Sequence, residues 1–99
     1  MIIEIHVAPN PPGTDESRYE HIEAAIAEAQ DCCLNYEVGA LGTTVEGPDD
    51  ELWALLRRMH EATLKSGASS VITNVRIAQQ AEDDGPQMKK LVAPFRPGE

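Results

Sequence analysis

Basic residues are scarce in this chain. Eight Lys and Arg stand against 17 Asp and Glu among 99 residues, for a formal net charge of −9. Nucleic-acid binding rests on Lys and Arg neutralising phosphates, so this balance argues against it. It also disfavours anionic membrane surfaces and favours neutral or cationic ligands. Aromatic residues are scarcer still, with one Phe, one Trp and two Tyr. RNA-binding modules of this size stack bases on aromatic side chains of their central strands. The corresponding strands here offer Ile5, His6 and Thr44 instead. Cysteine is limited to the adjacent Cys32 and Cys33. That pair is no disulfide framework and lacks the C-x-x-C spacing of redox and metal sites, so two reduced thiols packed on a helix are expected. The first loop has no cysteines for carrying a metal, and no His, Asp and Glu cluster has ligand spacing. Neither a metal nor a cofactor is expected.

Long apolar runs are also missing, and no stretch is fit to span a bilayer. The opening MIIEIHVAPN has no positive region, and Glu4 and His6 interrupt its apolar run. It does not read as a signal peptide, which sets the expectation of a cytoplasmic protein. About 100 residues suit one domain. We therefore expect a single domain over 1–99, with its core in about 1–80 and a short tail over 81–99.

What is present is periodic. Residues 2–8 alternate around Ile3, Ile5 and Val7, which predicts a half-buried strand. PNPPG at 9–13 reads as a stiff loop unable to join a ladder. Ser17 and Glu20 have capping-box spacing, so a helix should start near Ser17, with Ile22, Ile26, Ala29 and Cys33 as its stripe. YEVGA (36–40) and TTVEG (43–47) read as two short strands joined by a tight turn containing Gly42. Pro48 and the acids Asp49, Asp50 and Glu51 open a second helix, Leu52, Leu55, Leu56, Met59 and Thr63 stripe it, and Gly67 ends it. Residues 69–79 alternate as a long strand, QAEDDGP is a turn, and QMKKLV a short helical tail. There is no internal repeat.

The order strand, helix, strand, strand, helix, strand predicts an α+β fold. Two helices cannot cover both faces of a four-stranded antiparallel sheet, so both should pack on one face of a ferredoxin-like βαββαβ sandwich. Strand side chains alternate between faces. With Ile3, Ile5, Val7, Val38, Val45, Val71, Val75 and Ile77 turned to the helices, the open face must show Glu4, His6, Glu37, Thr44, Glu46, Asn74 and Arg76. Such a face is ordinarily just solvated or paired in an oligomer. The Gly-Thr-Thr-Val-Glu-Gly hairpin belongs to this face and is not a phosphate cradle, since it has no lysine and its helix entry is occupied by acids.

The stretches NYEVGALGTTVEG and LLRRMHEATLKSGASSVITNVRIAQ resemble the small thiamine-binding proteins of the YkoF-like superfamily, over roughly residues 1–80. The 81–99 tail departs from that pattern. The resemblance implies a ferredoxin-like fold and non-catalytic binding of thiamine or its hydroxymethylpyrimidine part. It also implies a homo-oligomer, a dimer at least, with a tetramer favoured. From the matching motif, Glu37, Thr43, Thr44 and Glu46 become ligand-binding candidates. Asn74, Arg76 and His6 are added from the sheet-face pattern. A carboxylate can accept from the aminopyrimidine amine, and hydroxyl or amide donors can serve the ring nitrogens. Arg76 sits awkwardly beside a thiazolium cation and can instead pair with Glu4 or Glu46, or meet a phosphate. The alternatives are an oligomer-forming regulatory module for another small metabolite, or an enzyme using Glu46 and His6 as acid and base. His21 and His60 read as surface or packing residues, and Trp53 as an edge-packing or interface residue.

Overall fold

Ile3, Ile5 and Val7 turn the same way on the first strand, β1 (Ile2–Asn10), and are buried against the helices. The structure, a computed structural model, describes residues 1–81 and 87–96. β1 is two residues longer than the sequence suggests, because Pro9 and Asn10 pair with Val71 and Ser70. Proline is tolerated here for a geometric reason. The Asn10 carbonyl accepts the Ser69 N–H at 2.9 Å, so even-numbered residues of β1 turn their polar groups toward the fourth strand. The missing N–H of Pro9 falls on the other side, where the third strand has already stopped pairing at Ile5.

The first helix, α1, runs Glu20–Asp31. The capping box does not form. The Ser17 N–H instead donates to Thr14 Oγ1 at 3.0 Å, and the Ser17 carbonyl accepts from Thr14 and Glu20. The buried stripe of α1 is also rotated from the expected one. His21, Ala25 and Ala29 face the core, while Ile22 and Ile26 flank them half-buried and Cys33 is exposed. Ala25 and Ala29 are fully buried in the core. His21 is a packing residue, its Nδ1 lying 2.6 Å from Ser66 Oγ.

β2 (Asn35–Val38) and β3 (Thr43–Glu46) form the expected hairpin, closed by the Gly39 N–H donating to the Gly42 carbonyl at 2.8 Å. The second helix, α2, runs Asp49–Ser66 and buries Leu52, Leu55, Met59 and Thr63. Pro48 precedes its first turn, and Asp49, Asp50 and Glu51 complement the dipole there. It stops at Gly67, whose φ of 130° a side chain would resist and whose N–H bonds back to the last turn. β4 (Ser70–Ala78) then pairs with the whole of β1.

The sheet is antiparallel in the order β2-β3-β1-β4, with α1 and α2 on one face. This is the α+β ferredoxin-like sandwich that the element order predicts. The core joins Ile3, Ile5, Val7 and Val45 of the sheet to Ala25, Ala29, Leu52, Leu55 and Met59. Val38 and Ile77 share that face but sit at sheet edges and stay largely exposed. Trp53 lies beside the α2 stripe, roughly half exposed, over a groove shared with His60, Thr73 and Val75. A short third helix, α3 (Met88–Val92), continues into a 3₁₀ turn (Ala93–Phe95). The expected turn over QAEDDGP lies mostly outside the described residues.

Candidate ligand-binding site

The two-residue period of the strands places one polar row across the open face. Glu37 on β2 is opposite Thr44 on β3, Thr44 is opposite Glu4 on β1, and Glu4 is opposite Arg76 on β4. A second row sets Asn35 beside Glu46 and Glu46 beside Ile2, and a third sets His6 beside Asn74. Six of the seven candidates therefore occupy the open face. The seventh, Thr43, taken from the motif alone, does not. It is next to Thr44 on the same strand, so it points to the helix side, and it is only 4% exposed. Two adjacent strand residues cannot both face one ligand.

The open face is not uniform. Residues 88–96 return over its β2-β3 side and enclose a cavity of about 870 Å³. Ile2, Glu4, Glu37 and Thr44 form the floor, the Gly39–Gly42 turn one end, and Met88, Lys89, Leu91, Val92 and Arg96 the far wall. Gly42 packs closely here: a Cβ would stand 3.2 Å from the Ile5 carbonyl oxygen, a tight approach, and in ordinary contact with Glu4 Cγ at 3.5 Å. The tail is tied down at two places. Glu46 Oε2 accepts the Met88 N–H at 2.7 Å, while Glu46 Oε1 accepts from Asn35 Nδ2 at 2.7 Å. Arg96 Nη2 donates to Glu37 Oε1 at 3.5 Å. With both oxygens engaged, Glu46 braces the tail and does not line the cavity. This departs from its expected place as an open acceptor.

His6, Asn74 and Arg76 lie on the other half of the face and are exposed there. Arg76 Nη1 stands 3.7 Å from Glu4 Oε1. Its side chain is 87% exposed, so the pair contributes little to stability. Of the seven candidates, the structure brings Glu37 and Thr44 into the cavity. Glu4, Asn35, Lys89 and Arg96 were not among them. Glu4 was readable from strand parity. For the tail, the signal was its composition, since QMKKLVAPFR has three bases and no acid in an otherwise acidic chain.

The sequence profile of a family described as "Thiamine-binding protein" matches residues 3–94. The chain belongs to the thiamine-binding protein family. The match reaches beyond residue 80 and takes in α3, though it ends before Arg96. Among relatives, a UPF0045 protein of Clostridium perfringens is 30% identical over 86 residues, covering 86% of this chain and 88% of that protein. A UPF0045 protein of Methanothermobacter thermautotrophicus is 32% identical over 76 residues, covering 75% and 77%. Among solved structures, a DUF77 domain of unknown function from Bacillus cereus superposes with a TM-score of 0.81 at 28% identity, covering 98% of this chain and 92% of that one. A Thermotoga maritima protein, proposed to act in thiamine biosynthesis or salvage, superposes with a TM-score of 0.79 at 25% identity, covering 96% and 97%. Family membership and fold are thus settled together. Among the described residues, no group of three or more His, Cys, Asp and Glu side chains is placed to hold a metal. No helix among them is long and apolar enough to cross a membrane.

Proposed function

We propose that the protein binds thiamine or its hydroxymethylpyrimidine part in the cytoplasm, without transforming it. The observation that carries this reading is the row Glu37, Thr44 and Glu4 on the floor of a tail-covered cavity, in a chain of the thiamine-binding family. A volume of about 870 Å³ suits a small-molecule site. Glu4 and Glu37 can accept from the pyrimidine amine and favour the thiazolium charge, and the Thr44 hydroxyl can donate to a ring nitrogen. Ile2, Leu91 and Val92 supply apolar surface for the rings. In this reading Glu46 and Asn35 position the tail, and Thr43, His6, Asn74 and Arg76 make no ligand contact within one subunit.

Calorimetric titration with thiamine, its pyrimidine alcohol and its diphosphate tests the reading. Ligand at 100 times its dissociation constant should stabilise the fold by about 2.7 kcal/mol. The absence of heat and of a melting shift at millimolar concentrations of all three overturns it. Saturable binding of an unrelated metabolite would favour a regulatory module, and turnover would favour an enzyme.

The bare half of the open face favours a second element, a homo-oligomer of at least two and, by the family resemblance, four chains. β4 is a nine-residue edge strand, and Ile72 beside Asn74 is 69% exposed. Sedimentation at micromolar concentration checks this; a monomer that still binds ligand refutes it.

A further inference from the structure

The walls of the cavity differ in sign. The sheet contributes Glu4 and Glu37, while the tail contributes Lys89 and Arg96. In a chain of formal charge −9, an anion meets general repulsion. Residues 87–96 reverse that locally, since they hold three of the eight bases and no acid. Most of the remaining bases are already paired, Arg57 and Lys65 with Glu61, Arg58 with Glu28 and Arg76 with Glu4. Among the described residues, Arg18, Lys89 and Lys90 have no ion pair, and of these only Lys89 lines the cavity. Arg96 reaches Glu37 through Nη2 alone, at 3.5 Å. Its other N–H donors are left for oxygens arriving in the cavity, and a guanidinium can hold a phosphate through two parallel bonds. Glu37 keeps its second oxygen for an incoming amine.

We propose that Lys89 and Arg96 form an anion subsite facing the sheet carboxylates, so that the preferred ligand is a phosphate ester with an amine or fixed cation at its other end. This rests on the proposed pyrimidine site and names which form of ligand fills it. A neutral alcohol leaves Lys89 hydrated and unpaired, whereas a phosphate meets it directly. The hairpin itself still offers no phosphate cradle. The anion is held from the tail, the part of the chain whose role the sequence leaves open.

The experiment compares hydroxymethylpyrimidine with its monophosphate, and thiamine with thiamine monophosphate, by calorimetry on the intact protein. Each monophosphate should bind about tenfold or more tightly than its alcohol. Lys89→Ala should bring that ratio close to one, and Lys89→Glu should invert it. Lys89 is exposed, so neither change threatens the fold, and melting curves verify this. Arg96→Gln should lower the ratio as well. Equal affinities in the unaltered protein overturn the subsite while leaving the pyrimidine site standing. A ratio unchanged in the Lys89→Ala, Arg96→Gln double variant overturns its assignment to these residues. If no pyrimidine compound binds, millimolar inorganic phosphate separates the two ideas. Amide shifts confined to Lys89, Arg96 and their neighbours support the subsite and dismiss the pyrimidine; no shifts dismiss both.

Discussion

The two halves of the open sheet face are built by the same alternation, yet they differ in almost everything that bears on binding. On the β2-β3 side, Glu37, Thr44 and Glu4 lie under a tail held by Glu46 and Arg96. On the β4 side, Arg76, Asn74 and His6 stand in solvent, with one long ion pair from Arg76 to Glu4. Polarity alone does not make a site. What separates the halves is a second wall: residues 88–96 set Lys89, Leu91, Val92 and Arg96 opposite sheet carboxylates that themselves stay about half exposed. Glu4 belongs to both halves, lining the cavity while pairing across to Arg76.

The largest effect should come from neither half. If the fold is held from the helix side, Leu55→Ala, at a fully buried position in the α2 stripe, should cost about 2–5 kcal/mol in urea unfolding. A cost near that of an open-face substitution would mean that the face carries structural weight, and the comparison would fail. Next, Glu37→Gln should weaken ligand binding by about tenfold or more, because a charge-assisted hydrogen bond contributes about 1.5–3 kcal/mol. Glu4→Gln should follow it, and both variants should remain folded. Glu46→Ala should cost about 1 kcal/mol through the lost Met88 and Asn35 bonds, and should weaken binding indirectly by freeing the tail. Unaltered affinity there would show that the tail is not part of the site. Smallest of all, Arg76→Gln should change stability by less than about 1 kcal/mol and affinity by less than about twofold in one subunit. A large loss from Arg76→Gln, with assembly intact, would move the site to the bare half.

Much of this arrangement was legible in the sequence, because strand parity is a local property. Ile3, Ile5 and Val7 fix one face of β1, and Glu4 and His6 follow onto the other without further information. The misreadings have physical causes as well. Thr43 was grouped with Thr44 by a motif that ignores parity. Ser17 and Glu20 match a capping box, but Thr14 competes for the same backbone group and the helix starts later. Pro9 was excluded from the ladder by a rule about its N–H, and the rule does not apply where no neighbouring strand waits for that donor. The tail was illegible for a different reason. Five helical residues carry too little periodicity to reveal a face, and the bond that seats them joins positions 46 and 88, which no local pattern connects.

The early end of β3 has a consequence for hydrogen exchange. Beyond Ile5, β1 is flanked by one strand instead of two. The amides of His6, Ala8 and Asn10 point to β4 and should exchange slowly. Val7 points the other way, past the last pair of β3, and its amide should take up deuterium far faster than those on either side. Its side chain is nonetheless 8% exposed and packed in the core. Burial of a side chain and protection of its own amide are thus uncoupled at this residue, in the middle of one of the two central strands of the sheet.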